Sequence, residues 1–266
     1  MEKVLLYKLS IGGKMMDNER YQSDMKQLYS NWILKEPVTR FIHTKSEKDE
    51  EIVINHKNDV FISDGVVCPE VWYSQDVRIL FLLKEAYTKN GNDDWDLVED
   101  HLLTTKKMSH LFKRICQWTQ GILNTTQDDI PAFFSGLSDT HYGNDILKKI
   151  AVMNVKKSGG KANSSMAEIN MYAEYDREEL MRELEIIDPT VIVCGYTISS
   201  LNVIMGTEIK DYDHPNENWF YKTRLNDHDV IVLDYYHPAN QYPDLLNYYG
   251  LLGIYQQALK DTDKGE

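Results

Sequence analysis

Three polar side chains stand where short apolar runs of the chain stop. They are Glu85 after residues 78–83 (RILFLL), Asn154 within residues 150–155 (IAVMNV) and His237 after residues 230–233 (VIVL). A carboxylate can orient or activate a water. An Asn amide carries both a donor and an acceptor, so it can read the edge of a planar base. A His can hydrogen-bond to negative charge developing on a departing group. A fourth run, residues 190–194 (TVIVC), closes on Gly195, where a side chain would crowd a ligand or the helix that follows. Pro238 fixes the backbone just beyond His237 and biases it away from the helical region. Singly, these residues read as a loop charge, a turn cap and a structural His-Pro turn. In a parallel sheet they would converge, because ligands bind in the crevice outside the carboxyl ends of the strands. This set requires no metal. The chain shows no nucleophile elbow, P-loop or Gly-rich dinucleotide motif.

The elements that must position these residues follow from hydrophobic periodicity. The four apolar runs are short and continuous, as in strands buried on both faces. Helical spacing is expected over residues 16–36, 94–103, 108–123, 168–187, 196–205 and 245–260, alternating with those strands. The pattern predicts an α/β fold with a parallel sheet covered on both faces. Residues 219–225 can form a further strand, the charge run 44–51 (TKSEKDEE) reads as a solvated loop, and residues 211–218 form a turn-rich excursion. Residues 1–65 read as a helical extension packed on a main domain of residues 66–266.

Composition narrows the partners. Hydrophobic residues at 42% and charged residues at 27% fit a soluble globular protein. No apolar run approaches the ~20 residues that span a bilayer, and the opening segment is too short for a secretory signal. Three widely spaced cysteines (Cys68, Cys116 and Cys194) suit a reducing cytoplasm, so a cytoplasmic monomer is expected. The net charge of −13 discourages non-specific adhesion to nucleic acid, which depends on Lys and Arg neutralising phosphates. Only residues 156–161 (KKSGGK) and 104–114 offer a local basic rim, and solvated lysines are the plainer reading of either.

In their order and spacing these motifs resemble the uracil-DNA glycosylase superfamily, in particular its family 4-like branch. The segment FLLKEAYTKNG (residues 81–91) resembles the family's Gly-Glu-Ala-Pro-Gly motif, and Asn154-Val155-Lys156-Lys157-Ser158 its Asn-Val-Val-Lys-Cys motif. The run IDPTVIVCG ending at Gly195 resembles its Pro-then-apolar strand, and His237-Pro238-Ala239 its His-Pro-Ser motif. The resemblance spans roughly residues 79–239. It implies a three-layer α/β/α sandwich with a four-stranded parallel sheet, and cleavage of the N-glycosidic bond of a flipped uracil or modified base. Glu85 would orient the water, Asn154 read the base and His237 stabilise the leaving base. Ala86, Tyr87, Gly195 and Pro238 would line the pocket, with Trp95 an alternative stacking ring. Lys156, Lys157, Lys161, Gln241 and Tyr242 would face DNA, Gln241 or Tyr242 as the wedge. Lys84 and Tyr87 depart from the first motif, Ala239 removes a hydroxyl, and Ser158 stands where a cluster cysteine would be. No iron–sulfur cluster or other cofactor is therefore expected. The rival expectation is a non-catalytic module on the same fold that binds a nucleotide or a protein partner.

Overall fold

The structure is a computed structural model that describes residues 18–43, 49–87, 93–104, 107–135, 145–161, 164–210 and 219–262. Parts of the expected charge run, the loop after Tyr87, residues 136–144 and the 211–218 excursion lie outside the described residues.

All four apolar runs are strands of one sheet: β5 (Ile79–Tyr87), β7 (Ile150–Gly160), β8 (Val191–Gly195) and β10 (His228–Tyr235). Their order is β7-β5-β8-β10, and every neighbouring pair among them is parallel. The sheet is nevertheless mixed and six-stranded, which corrects the expectation of four strands. The two-residue β4 (Gly65–Val66) pairs antiparallel on β7, and β9 (Phe220–Leu225) pairs antiparallel on β10. A hairpin turn at Asn226, whose φ of 50° lies in the left-handed region, returns β9 into β10. β4 is too short for periodicity to reveal.

Alternation along the strands sends Ile79, Phe81 and Leu83 of β5 to one face, and Leu80 and Leu82 to the other. On the first face pack α3 (His110–Asn124) and α7 (Asp244–Thr262), through Ile115, Trp118, Leu251 and Tyr255. On the second pack α1 (Asn18–Ile33), α4 (Met166–Tyr175), α5 (Arg177–Ile187) and α6 (Ile198–Met205). The chain leaves β5 for β7 by way of α3 on one face, and leaves β8 for β10 by way of α6 on the other. The carboxyl ends of β5 and β8 thus flank a topological switch point, the place where such sheets open a crevice.

The N-terminal segment is tied to this sheet. Trp32 of α1 is wholly buried, the Tyr29 hydroxyl lies 2.8 Å from the Asp64 carbonyl, and Val66 N–H donates to the Tyr21 hydroxyl (2.7 Å). Besides the helix it carries a hairpin, β1 (Val38–His43) with β2 (Asp49–Ile54), where a solvated charge run was expected. Asp49, Glu50 and Glu51 are exposed, while Ile54 is buried against Met171 and Tyr172. The single helix expected over 168–187 breaks at Asp176, whose wholly buried carboxylate lies 3.0 Å from His56 Nε2 and 3.3 Å from Lys35 Nζ. Those partners pull the residue out of helical geometry (φ −100°, ψ 20°). Among the described residues no helix is long and apolar enough to cross a membrane.

Candidate active site at the carboxyl ends of the parallel strands

Strand register brings the expected residues to one level. Leu83 pairs with Asn154, Leu82 with Cys194, Cys194 with Asp234 and Gly195 with Tyr235. Leu83, Asn154, Gly195 and Tyr235 thus share one level. Glu85 lies two residues further along β5 and the His237-Pro238 step just past the end of β10, while β7 runs on beyond Asn154 to Gly160. Gly195 is required by crowding. A Cβ there would lie 2.9 Å from Leu83 Cδ2 and 3.3 Å from Pro238 Cδ, so Pro238 seals directly over the end of β8.

Glu85 is held from two sides. Its side chain is 3% exposed, and Oε2 lies 3.1 Å from Lys156 Nζ. A β-bulge between Glu85 and Tyr87 brings Gly160 alongside, where a Cβ would come within 2.7 Å of both Glu85 Cγ and the Ala86 carbonyl. Lys156 also donates to Glu168 Oε1 (2.6 Å) and lies 5.2 Å from the centre of the Tyr172 ring. Burial works against the Lys156 charge, but Glu168 and Glu85 outweigh it and raise its pKa. Tyr87 projects from the strand end, 55% exposed, whereas Trp95 belongs to the short β6 (Trp95–Asp96), paired with β3 (Ile62–Ser63).

Asn154 is 2% exposed, and both its backbone N–H (2.8 Å) and its side-chain Nδ2 (2.9 Å) donate to Asp64 Oδ2. A carboxylate only accepts, so Asp64 fixes which end of the amide is nitrogen. Lys157, expected to face DNA, is wholly buried and joins Asp64 (2.5 Å) to Glu183 (2.9 Å). Lys156 is likewise buried, so neither lysine presents its charge to a phosphate; both serve as internal ion-pair partners. Of the expected lysines only Lys161 reaches solvent, its side chain 57% exposed and 3.0 Å from Glu168.

His237 lies at the end of β10 with its pKa lowered to about 4, chiefly by burial and then by the charge of Lys84. The Ala239 N–H donates to His237 Nδ1 (3.2 Å). A neutral imidazole whose Nδ1 accepts must carry its proton on Nε2. Lys84 itself lies 4.9 Å from the centre of the exposed Tyr196 ring.

The loop after Pro238 is held by residues that sequence reasoning missed. Arg114 of α3 is 2% exposed and spends all of its N–H groups there. Nη1 donates to the carbonyls of Pro238 (2.7 Å) and Asn240 (2.8 Å), Nη2 to Tyr242 O (3.0 Å) and Asp244 (2.6 Å), and Nε to Asp244 (2.9 Å). Asn240 of the loop and Asn247 of α7 exchange side-chain hydrogen bonds (2.9 and 3.1 Å). Gln241 and Tyr242 are left exposed on its outside. These partners lie far apart in sequence, and an Arg on an amphipathic helix gives no sign of being buried. Asp64 had marked only irregular structure.

Among the described residues no group of three or more His, Cys, Asp or Glu side chains is arranged to hold a metal ion. Comparison of the chain with protein-family models and with curated proteins finds no match.

Proposed function

We propose that the chain is a hydrolase of the uracil-DNA glycosylase kind, cleaving the N-glycosidic bond of a uracil or modified base in DNA. The observation that carries this reading is the placement of Glu85, Asn154 and a neutral, Nε2-protonated His237 at one sheet edge beside the switch point. The bond between C1′ and the base nitrogen breaks with its electron pair leaving on the base, and positive charge develops at the sugar as in glycoside hydrolysis. Glu85 orients the water that adds to C1′ and receives its proton. The Asn154 amide, oriented by Asp64, meets the polar edge of the base. His237 Nε2–H donates to the departing base anion, the stage at which a preorganised donor contributes most. The products are free base and an abasic sugar.

A second reading has its own support. Lys156 already occupies one oxygen of Glu85, an arrangement that also suits a non-catalytic pocket for a nucleotide or a protein partner. Release of base from a labelled uracil-containing oligonucleotide, single- and double-stranded, separates the two. Wild-type protein is expected to release base, with Glu85→Gln slower by about 10²–10⁴-fold. Folded wild-type protein that releases none from either strand form would sink the uracil-DNA reading and leave the binding module.

A further inference from the structure

Three exposed aromatic rings stand near the carboxyl ends of β8 and β10: Tyr196 (59% exposed), Trp219 (41%) and Tyr242 (56%). Trp219 and Tyr242 are joined through Tyr236, whose ring centre lies 5.5 Å from the first and 5.1 Å from the second. Tyr236 immediately precedes His237, so this aromatic stripe begins at the candidate site and runs out over the loop held by Arg114. Tyr196 stands on the other flank of the β10 end, its N–H donating to Tyr235 O (2.9 Å).

Two of these rings sit on backbone that bulky residues avoid. Tyr196 has φ 64° and Trp219 φ 57°. Left-handed geometry is strained for a large side chain and persists only where the surroundings impose it. Here they do. Tyr196 N–H is also shared with Cys194 O (2.8 Å), and Trp219 O accepts from Asp234 N–H (2.9 Å). Glycine would occupy either position without strain. An aromatic ring on backbone that disfavours it, left 41–59% open to solvent, is better explained by what it touches outside the chain.

The charges around the stripe define that ligand further. Lys156 and Lys157 are buried in ion pairs, Lys161 lies on Glu168, and Lys210 lies 2.6 Å from Asp234, while Lys84 stands 4.9 Å from the Tyr196 ring centre as one cation beside the stripe. The whole chain carries −13. A duplex hides its bases and offers mainly phosphates, which this surface is poorly equipped to hold. A single strand presents unstacked bases, each with a π-face that an aromatic ring can cover.

We infer that Trp219, Tyr236 and Tyr242, with Tyr196 opposite, form a stacking platform for the bases of single-stranded nucleic acid flanking the candidate site. The inference takes its location from the proposed base-sugar chemistry, but its test does not depend on catalysis. The probe is a fluorescein-labelled oligothymidylate, which contains no uracil, with anisotropy as the readout. Wild-type protein is expected to bind it and to be poorly competed by a duplex of the same length. Trp219→Gly and Tyr242→Ala are each expected to weaken binding by about 5- to 150-fold, while Trp219→Phe stays within a few-fold of wild type. Thermal unfolding midpoints confirm that the variants fold. With two phosphates neutralised, raising salt from about 50 to 200 mM should weaken binding only about sevenfold, against roughly 300-fold for six.

Wild-type affinity in both Trp219→Gly and Tyr242→Ala, equal competition by duplex, or no binding of the oligonucleotide would overturn the inference. Binding that depends on these rings without any base release would leave the platform standing and remove the glycosylase reading. Base release with ring-independent binding would do the reverse.

Discussion

A histidine that enters the folded state neutral, with Nδ1 accepting a hydrogen bond, can keep its proton only on Nε2, and that gives the candidate site a permanent donor. The sign of the coupling follows from the shift. The folded pKa of about 4 lies below the usual value near 6.5, so between these pH values the unfolded chain binds more protons. The contribution of His237 to stability is therefore lost as pH falls through that window and is complete above it. Titration of the His237 ring by NMR should give a midpoint near 4, and Lys84→Met should move it upward without reaching 6.5, because burial is the larger cause. A wild-type midpoint near 6.5 would mean the ring is solvated and is a cation in mild acid, not the neutral Nε2 donor described here. At this scale much was legible. Glu85 and His237 are announced by apolar runs that stop just before them, whereas β7 runs on past Asn154 to Gly160. The roles of Lys156 and Lys157 were not legible, because Glu168, Asp64 and Glu183 meet them only after the chain folds.

At the scale of elements, the loop bearing His237 owes its shape to α3 more than to its own residues. Arg114 reaches across to take the carbonyls of Pro238, Asn240 and Tyr242 together with the Asp244 carboxylate. Methionine at position 114 would fill much of the space but strand those acceptors. Removing one partner of such a buried set typically destabilises by on the order of 3 kcal/mol. Arg114→Met should lower stability by about that much, and amide exchange over residues 238–242 should accelerate more than in the neighbouring β10. Arg114→Lys should recover only part, since an ammonium lacks the planar fork. Unchanged exchange in the loop of the methionine variant would show that Asn240 and Asn247 suffice. The four parallel strands could be read from sequence because buried strands are continuous and apolar. Of the sheet's edges, β9 was expected at residues 219–225, but other elements could not be read. β4 has two residues, half of β2 is charged, and the break at Asp176 is caused by His56 and Lys35 from distant segments.

The whole molecule is knitted together at one buried triad. Lys157 of β7, Asp64 before β4 and Glu183 of α5 are wholly enclosed, and the Tyr29 hydroxyl of α1 donates to Glu183 (2.6 Å). Two carboxylates and one ammonium cannot all be charged there without leaving a net negative charge in the interior. Burial, with the charge of Asp64 adding to it and Lys157 opposing, pushes the Glu183 carboxyl up to about 8. Lys157 shifts upward as well: burial lowers it, but the two carboxylates outweigh that. The consistent state at neutral pH is a charged Lys157–Asp64 pair beside a protonated Glu183. Because the folded chain holds that proton to higher pH than the unfolded chain, stability falls as pH rises from about 4.5 toward 8. Above 8 the folded state carries an uncompensated buried charge in a protein already at −13. Glu183→Gln keeps the shape and the hydrogen-bonding capacity without the titration. Urea midpoints compared at about pH 6 and pH 9 should drop for the wild type and hold for the variant, which becomes the more stable protein in alkali. Equal drops in the two would place the titrating group elsewhere. Asp64 also orients the Asn154 amide, so ionising Glu183 disturbs the partner on which that amide depends. The same pH rise that loosens the junction of helix, sheet edge and core should therefore weaken ligand binding in the wild type before unfolding, and not in Glu183→Gln.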